Sequence, residues 1–301
     1  MENKDNFVII DSNSIIHRAF HALPPLKSKD GQVVNAVYGF LLVLFKLLKE
    51  LEPKYFVACF DVPSPTFRKK MYDEYKAQRK KAPDELYIQI PIVKSVLKSF
   101  NVPVFEKAGF EGDDLIGTLS RKTDGKQNII VSGDMDTFQL VNEKTFVYYL
   151  NKGVKSAVIY DRKAVEEKYE GLSPEQLIDY KGLRGDVSDN IPGVKGIGEK
   201  TAISLIKEFG DIFNLYNKIE KGEDNLSLKI KEKLINDKEK AFLSRELSEI
   251  KKDIHLDIDL EQCEWGGYDE EKVLKMLDDF GFNSLVKNIT TKPIGENLRL
   301  W

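Results

Sequence analysis

The chain has 301 residues, 42% hydrophobic and 32% charged, with a formal net charge of -3 at pH 7. Those proportions suit a folded, soluble protein with one large core or two modest ones, and they exclude disorder as its main state. Two cysteines, Cys59 and Cys263, are too few for a disulfide framework, and MENKDNFVIID is charged where a signal peptide is apolar, so a reducing, cytoplasmic setting is expected.

FVIID and YFVACFD read as short strands buried on both faces. Between them, AVYGFLLVLFKLLKEL is interrupted by Lys46 and Lys49 and falls short of the about 20 apolar residues of a membrane span, so it is expected as a buried helix. VPVF, NIIVS and TFVYYL continue the strands, and their alternation with helices predicts an α/β fold with a mostly parallel sheet covered on both faces. From Ser173, with Pro174 at the first helical position, SPEQLIDYKGL, EKTAISLIKEFG, DIFNLYNKIE and LKIKEKLINDKEKAFLSREL are helical patterns. The expected division is therefore 1–172, a helical domain over 173–290, and a tail or linker over 291–301.

In open parallel sheets ligands sit beyond the carboxyl ends of the strands, where this chain collects acids. Asp11 and Asp61 end the first two strands, and Asp134 follows NIIVS. Glu111, Asp113 and Asp114 lie in FEGDDLIG, Asp136 in SGDMDTFQL, and Asp186 and Asp189 in GLRGDVSDNIPGVKGIGEKTA. Each group has an ordinary alternative: Asp11, Asp61, Asp134 and Asp136 as helix caps, FEGDD as a dipole-stabilised helix start, Asp186 and Asp189 as Asx-turns. None of these explains why the acids share one sheet edge. Such acids repel one another unless positive charge offsets them, and oxygen donors without a histidine ligand pattern suit Mg2+ or Mn2+ rather than zinc. Two such ions about 4 Å apart would activate water for phosphodiester hydrolysis.

The basic segment RKKMYDEYKAQRKK, Arg68 to Lys81, suits a solvated helix face or a phosphate contact, with Tyr72 or Tyr75 stacking on an unpaired base. The glycine turn at Gly193, Gly196 and Gly198 precedes a helix start and is flanked by Lys195 and Lys200. It suits a tight helix connection or sequence-independent duplex binding, and matches neither a Walker loop nor a dinucleotide fingerprint.

Taken in order, IIDSN, VACFDVPSPTFR, YKAQR, FEGDD, SGDMDTFQL and LRGDVSDNIPGVKGIGEKTA resemble the motifs of the 5' nuclease family over roughly residues 6 to 290. The family includes the 5'→3' exonuclease domains of bacterial polymerases and the flap endonucleases. The resemblance implies a PIN-like, Rossmann-like α/β domain with a helical arch over about 63–85, followed by a helix-three-turn-helix (SAM-fold-like) domain. It puts a first metal site on Asp11, Asp61, Glu111 and Asp113, with Asp114 beside it, and a second on Asp134, Asp136, Asp186 and Asp189. Arg18, Tyr75, Lys76 and Arg79 would act on the scissile phosphate or its strand. Arg68, Lys69, Lys70, Gly193, Lys195, Gly196, Gly198, Lys200 and Thr201 would bind DNA. The implied cofactors are two or more Mg2+ or Mn2+ ions, with a K+ ion on backbone carbonyls at 193–198. The implied partner is DNA with a 5' flap, nick or RNA primer junction, served by a monomer beside the bacterial nucleoid, with a DNA polymerase in cis or trans. Two departures from the family are Ser12 and Asn13 after Asp11, where many polymerase domains have glycine, and the end of the chain where polymerase-linked proteins continue. A non-catalytic junction binder and a PIN-type ribonuclease are the competing readings.

Overall fold

A computed structural model describes residues 5–123, 125–153 and 156–290, so the 291–301 segment lies outside the described residues. The apolar runs form β1 (Asn6–Asp11), β2 (Tyr55–Phe60), β3 (Val104–Glu106), β4 (Gln127–Ser132) and β5 (Thr145–Lys152). These five pair in parallel, in the order β3-β2-β1-β4-β5. A sixth strand, β6 (Ser156–Tyr160), closes the far edge antiparallel to β5. It was not expected from sequence, because SAVIY is a largely exposed edge without the unbroken apolar run of the central strands.

Alternation along β1 assigns the two faces of the sheet. Phe7 and Ile9 pack with Leu115, Ile116 and Leu119 of the Gly112–Lys122 helix and with the C-terminal helices. Val8 and Ile10 pack on the opposite face with the Ser12–Ala22, Asn35–Leu51 and Gln89–Ser99 helices. The long apolar run is thus a buried helix, and no described helix is long and apolar enough to cross a membrane. Cys59 and Cys263 are free and buried.

Beyond Ser173, which caps a short turn leading into the Leu177–Arg184 helix, come the helices Glu199–Phe209, Ile212–Lys221, Leu228–Asn236 and Lys238–Ser248. The first core cluster crosses residue 173 without a break. The chain then returns to the sheet: Phe56 N donates to Cys263 O at 2.8 Å, and Trp265 N to Lys54 O at 2.8 Å. Two further helices, Glu270–Asp279 and Asn283–Thr290, bury Val273, Leu277 and Leu285, and the connection between them buries Phe282, in the cluster of the opposite face.

Residues 63–85 differ from the helical arch that the resemblance implies. Two short helices, Phe67–Met71 and Asp84–Tyr87, flank turns and irregular chain. Lys76 adopts a left-handed conformation (φ 55°), which ends any helix there. Lys76, Arg79 and Lys80 would also repel one another at helical spacing, and Pro83 disfavours helix at the residue before it.

Candidate active site

The carboxyl ends of β1, β2 and β4 open into one crevice of about 600 Å³. Its lining includes Asp11, Asp61, Glu111, Asp113, Asp134, Asp136 and Asp189 from the acids, and Arg18, Arg68, Lys76 and Arg79 from the cations. Several of the ordinary structural roles are real but coexist with this convergence. Asp11 caps the Ser12–Ala22 helix, accepting from Ser14 N at 3.1 Å, while its other oxygen accepts from Ser132 Oγ at 2.6 Å. Asp61 accepts from Gly112 N at 2.6 Å and so clamps β2 to the start of the Gly112–Lys122 helix. Asp134 accepts from Asp136 N at 2.9 Å.

Electrostatics mark the cost of gathering these groups. Burial, reinforced by the charges of Asp61 and Asp134, pushes the Asp11 carboxyl up to about 7 against the bonds from Ser132 and Ser14. Burial and the charges of Asp11, Asp134 and Asp61 push Asp113 well above the carboxylate range. Burial also raises Asp136 to about 6, despite its ion pair with Lys181. Asp186 goes the other way: burial is outweighed by Lys181 and two bonds from Ser188, and its carboxyl is held down at about 2.

The second acid group is already bridged by the chain's own cations. Lys181 Nζ contacts Asp136 and lies 2.7 Å from Asp186, with only 13% of its side chain exposed. Lys76 Nζ lies 2.9 Å from Glu111 and 3.8 Å from Asp189, and Arg79 pairs with Asp189. Tyr75 is buried, and its hydroxyl donates to Glu111 at 3.0 Å and to Asp189 at 3.3 Å. Stacking of Tyr75 on a base is therefore replaced here by a tether between two acids. Arg18 also lines the crevice, donating to Asn151 O at 3.0 Å and Gly133 O at 3.2 Å. Among the described residues no three acid, histidine or cysteine side chains are already closed around a metal-sized gap. The donor set itself, carboxylate oxygens gathered at the strand ends, has the chemistry of a hard divalent-ion site.

Asp114 and Asp186 are absent from the lining of the crevice, and Arg68 reaches that lining almost wholly buried. The Asp114 carboxylate takes two 2.7 Å bonds from Arg68 and accepts from Glu111 N and Lys251 N. Arg68 is correspondingly 3% exposed and bonds also to Leu247 O and Glu249 O, so it is a buried structural cation rather than a DNA contact. Lys69 and Lys70 remain on the Phe67–Met71 helix, Lys70 exposed and Lys69 turned onto Asp73 O.

Backbone geometry explains the glycine turn. Asp186 and Ile191 exchange backbone hydrogen bonds of 2.9 and 2.8 Å, closing a loop that presents Asp186 and Asp189. Gly185 (φ 75°) and Gly193 (φ 60°) cross so closely that a Cβ on Gly193 would lie 2.4 Å from Gly185 N. Gly193 is thus buried by a backbone crossing rather than turned outward. Lys195, Gly196, Gly198 and Lys200 are exposed, Thr201 is half-buried in the first turn of the Glu199–Phe209 helix, and the Gly196 carbonyl accepts from Lys233 Nζ at 2.8 Å.

Sequence reasoning passed over Lys181, whose helix gives no sign of its two acidic partners. It also set aside His17 and His21, which line the crevice; burial and the neighbouring His21 push the His17 imidazole below its usual pKa.

Fold and crevice together define an acid-lined α/β domain joined to a helical domain that carries an exposed glycine turn. The chain belongs to the 5'-3' exonuclease family: the family's N-terminal resolvase-like domain matches residues 6–170, and its C-terminal SAM fold matches residues 172–271. DNA polymerase I of Bacillus subtilis (strain 168) is 40% identical over 291 residues, 96% of this chain and 33% of that protein. DNA polymerase I of Streptococcus pneumoniae (strain R6) is 40% identical over 98% of this chain and 34% of its own length. The chain thus spans about a third of the length of these relatives. Among solved structures, T5 5'-exonuclease with zinc bound superposes with a TM-score of 0.67 at 21% identity, covering 94% of this chain and 97% of that one. The catalytic core of Rad2 in complex with DNA substrate gives 0.60 at 20% identity, covering 92% and 87%. At these identities the structural likeness speaks to the fold.

Proposed function

We propose that this chain is a divalent-metal-dependent, structure-selective nuclease that hydrolyses a phosphodiester of DNA close to a 5' flap or nick. The observation that carries this reading is the convergence of seven acids and four cations, Arg18, Arg68, Lys76 and Arg79, on one crevice at the strand ends. Asp11, Asp61, Glu111 and Asp113 would hold one ion, and Asp134, Asp136, Asp186 and Asp189 a second. Mg2+ or Mn2+ bound there would supply a nucleophilic water near neutral pH and charge for the departing oxygen.

The chain's own groups do the rest. Lys76, Arg79 and Arg18 face the crevice and bind the scissile phosphate, where their charge favours the more negative transition state. Lys195 and Lys200, beside the start of the Glu199–Phe209 helix, hold the duplex backbone without reading its sequence. The carbonyls at 193–198, one of them already facing the Lys233 ammonium, are the place for a K+ ion. The setting that fits is removal of RNA primers and displaced flaps in a bacterial cytoplasm, by a monomer working beside a DNA polymerase.

The test is cleavage of a 5'-flap DNA by wild type and Asp186→Asn in Mg2+, Mn2+ or EDTA, with junction binding measured in Ca2+. Metal-dependent cutting near the junction, lowered by at least about 10²-fold in the variant with binding retained, is the expected result. Tight binding without cutting in any metal would replace this reading with the junction binder. Preference for a matched RNA flap would favour the ribonuclease.

A further inference from the structure

The basic segment and the aspartate turn are joined by two bonds that involve no formal charge. Asn190 Nδ2 donates to Glu74 O at 2.7 Å, across 116 positions of sequence. Lys76 N donates to Asp189 O at 2.8 Å. Between them these bonds bracket Tyr75 and Lys76, the residues whose side chains reach Glu111 and Asp189. Asn190 itself is left-handed (φ 57°), a conformation that asparagine tolerates better than most residues, and it lies directly after Asp189.

The charged contacts at this junction are sensitive to what enters the crevice. A phosphate would compete for Lys76 and Arg79, and a cation would compete with them for Glu111 and Asp189. The amide of Asn190 and the N–H of Lys76 compete with neither. We infer that Asn190 is a positioning residue: its side-chain amide holds the backbone of residues 74–76 against the aspartate turn, so Lys76 stays in register with the crevice when its charged partners change. Entry of a strand at the basic segment and order at Asp189 are thereby mechanically joined. This inference rests on the nuclease reading for its catalytic consequence, and on geometry alone for the tether.

Two variants of the 301-residue chain test it. Asn190→Gly keeps the positive φ and removes the amide. Asn190→Asp keeps the side-chain size and the tolerance of that φ but lacks the N–H donor. In the metal-free protein, amide hydrogen exchange of the 72–80 peptide is expected to accelerate about tenfold in both variants, while the thermal midpoint stays within a few degrees of wild type. On flap DNA, kcat is expected to fall about tenfold with KM within twofold, and the cut positions to spread, because a group displaced by about 1 Å loses catalysis before it loses binding.

Unchanged exchange in both variants overturns the tether. Accelerated exchange in Asn190→Gly alone traces the effect to backbone freedom and overturns it equally. A kcat that holds while KM rises overturns the positioning role. If the wild-type chain cuts no DNA, the nuclease reading fails, and the exchange experiment still decides the tether.

Discussion

Replacing Asp114 by Asn separates a structural acid from a metal ligand. The side chain is 0% exposed, and its partner Arg68 is 3% exposed. The carboxylate receives two 2.7 Å bonds from the guanidinium, 3.0 Å from Glu111 N and 2.9 Å from Lys251 N. An amide of the same size keeps one acceptor oxygen but turns an N–H₂ group on donors and leaves Arg68 buried without its counter-charge. Breaking one side of a buried pair costs about 3–5 kcal/mol. At about 2–4 °C per kcal/mol for a chain somewhat smaller than this one, that predicts a thermal midpoint lower by about 6–20 °C. Thermal melts check that shift, and urea unfolding followed by circular dichroism measures the free-energy loss itself: the denaturant midpoint should fall with the slope unchanged. The double variant Arg68→Met with Asp114→Leu should recover much of the loss, since an apolar pair of similar volume removes both desolvated charges. The reasoning is refuted if Asp114→Asn loses less than about 1 kcal/mol, or if it weakens divalent-ion binding while leaving stability intact.

Stability of the metal-free protein should fall as pH rises from about 4 to about 7. Asp11 is raised to about 7 and Asp136 to about 6, so the folded state holds protons that the unfolded chain releases near 4, and this contribution is lost as pH climbs through the raised values. The Asp186 contribution has the opposite sign, but with its carboxyl held at about 2 it is complete above pH 4. Thermal melts in EDTA from pH 4.5 to 8 check this trend, and Mg2+ should restore most stability at the alkaline end. Gly193→Ala should cost more than about 2 kcal/mol, because its Cβ would meet Gly185 N at 2.4 Å in a left-handed backbone; equal urea midpoints for variant and wild type would contradict the crossing.

What could be read from sequence was whatever local pattern determines. FVIID and YFVACFD each end an unbroken apolar run with aspartate, so strand and strand-end acid were visible together. The helix at Ser173 announced itself through Pro174. Adjacent residues with opposite fates were not separable. Asp113 and Asp114 sit one position apart on a helix, so one faces the crevice and the other faces Arg68. Arg68 and Arg79 belong to one basic run, yet burial makes the first a core ion pair while the second reaches Asp189. Lys181 looks like any helical lysine until the turn after Arg184 folds Asp186 back to it, five positions on. These assignments depend on tertiary contacts that no spacing encodes.

The return of the chain to the sheet bears on how the protein is made. Trp265 stacks on Phe100, Tyr268 meets it edge-on, and Phe282 packs against Tyr38, so the outer side of the Asn35–Leu51 and Gln89–Ser99 helices is sealed by residues synthesised more than a hundred positions after the sheet strands. With synthesis at about 5–20 residues per second, that apolar surface waits on the order of 10 seconds after the sheet strands leave the ribosome. During that interval the nascent chain presents a sticky, half-finished layer, the kind of surface that chaperones bind.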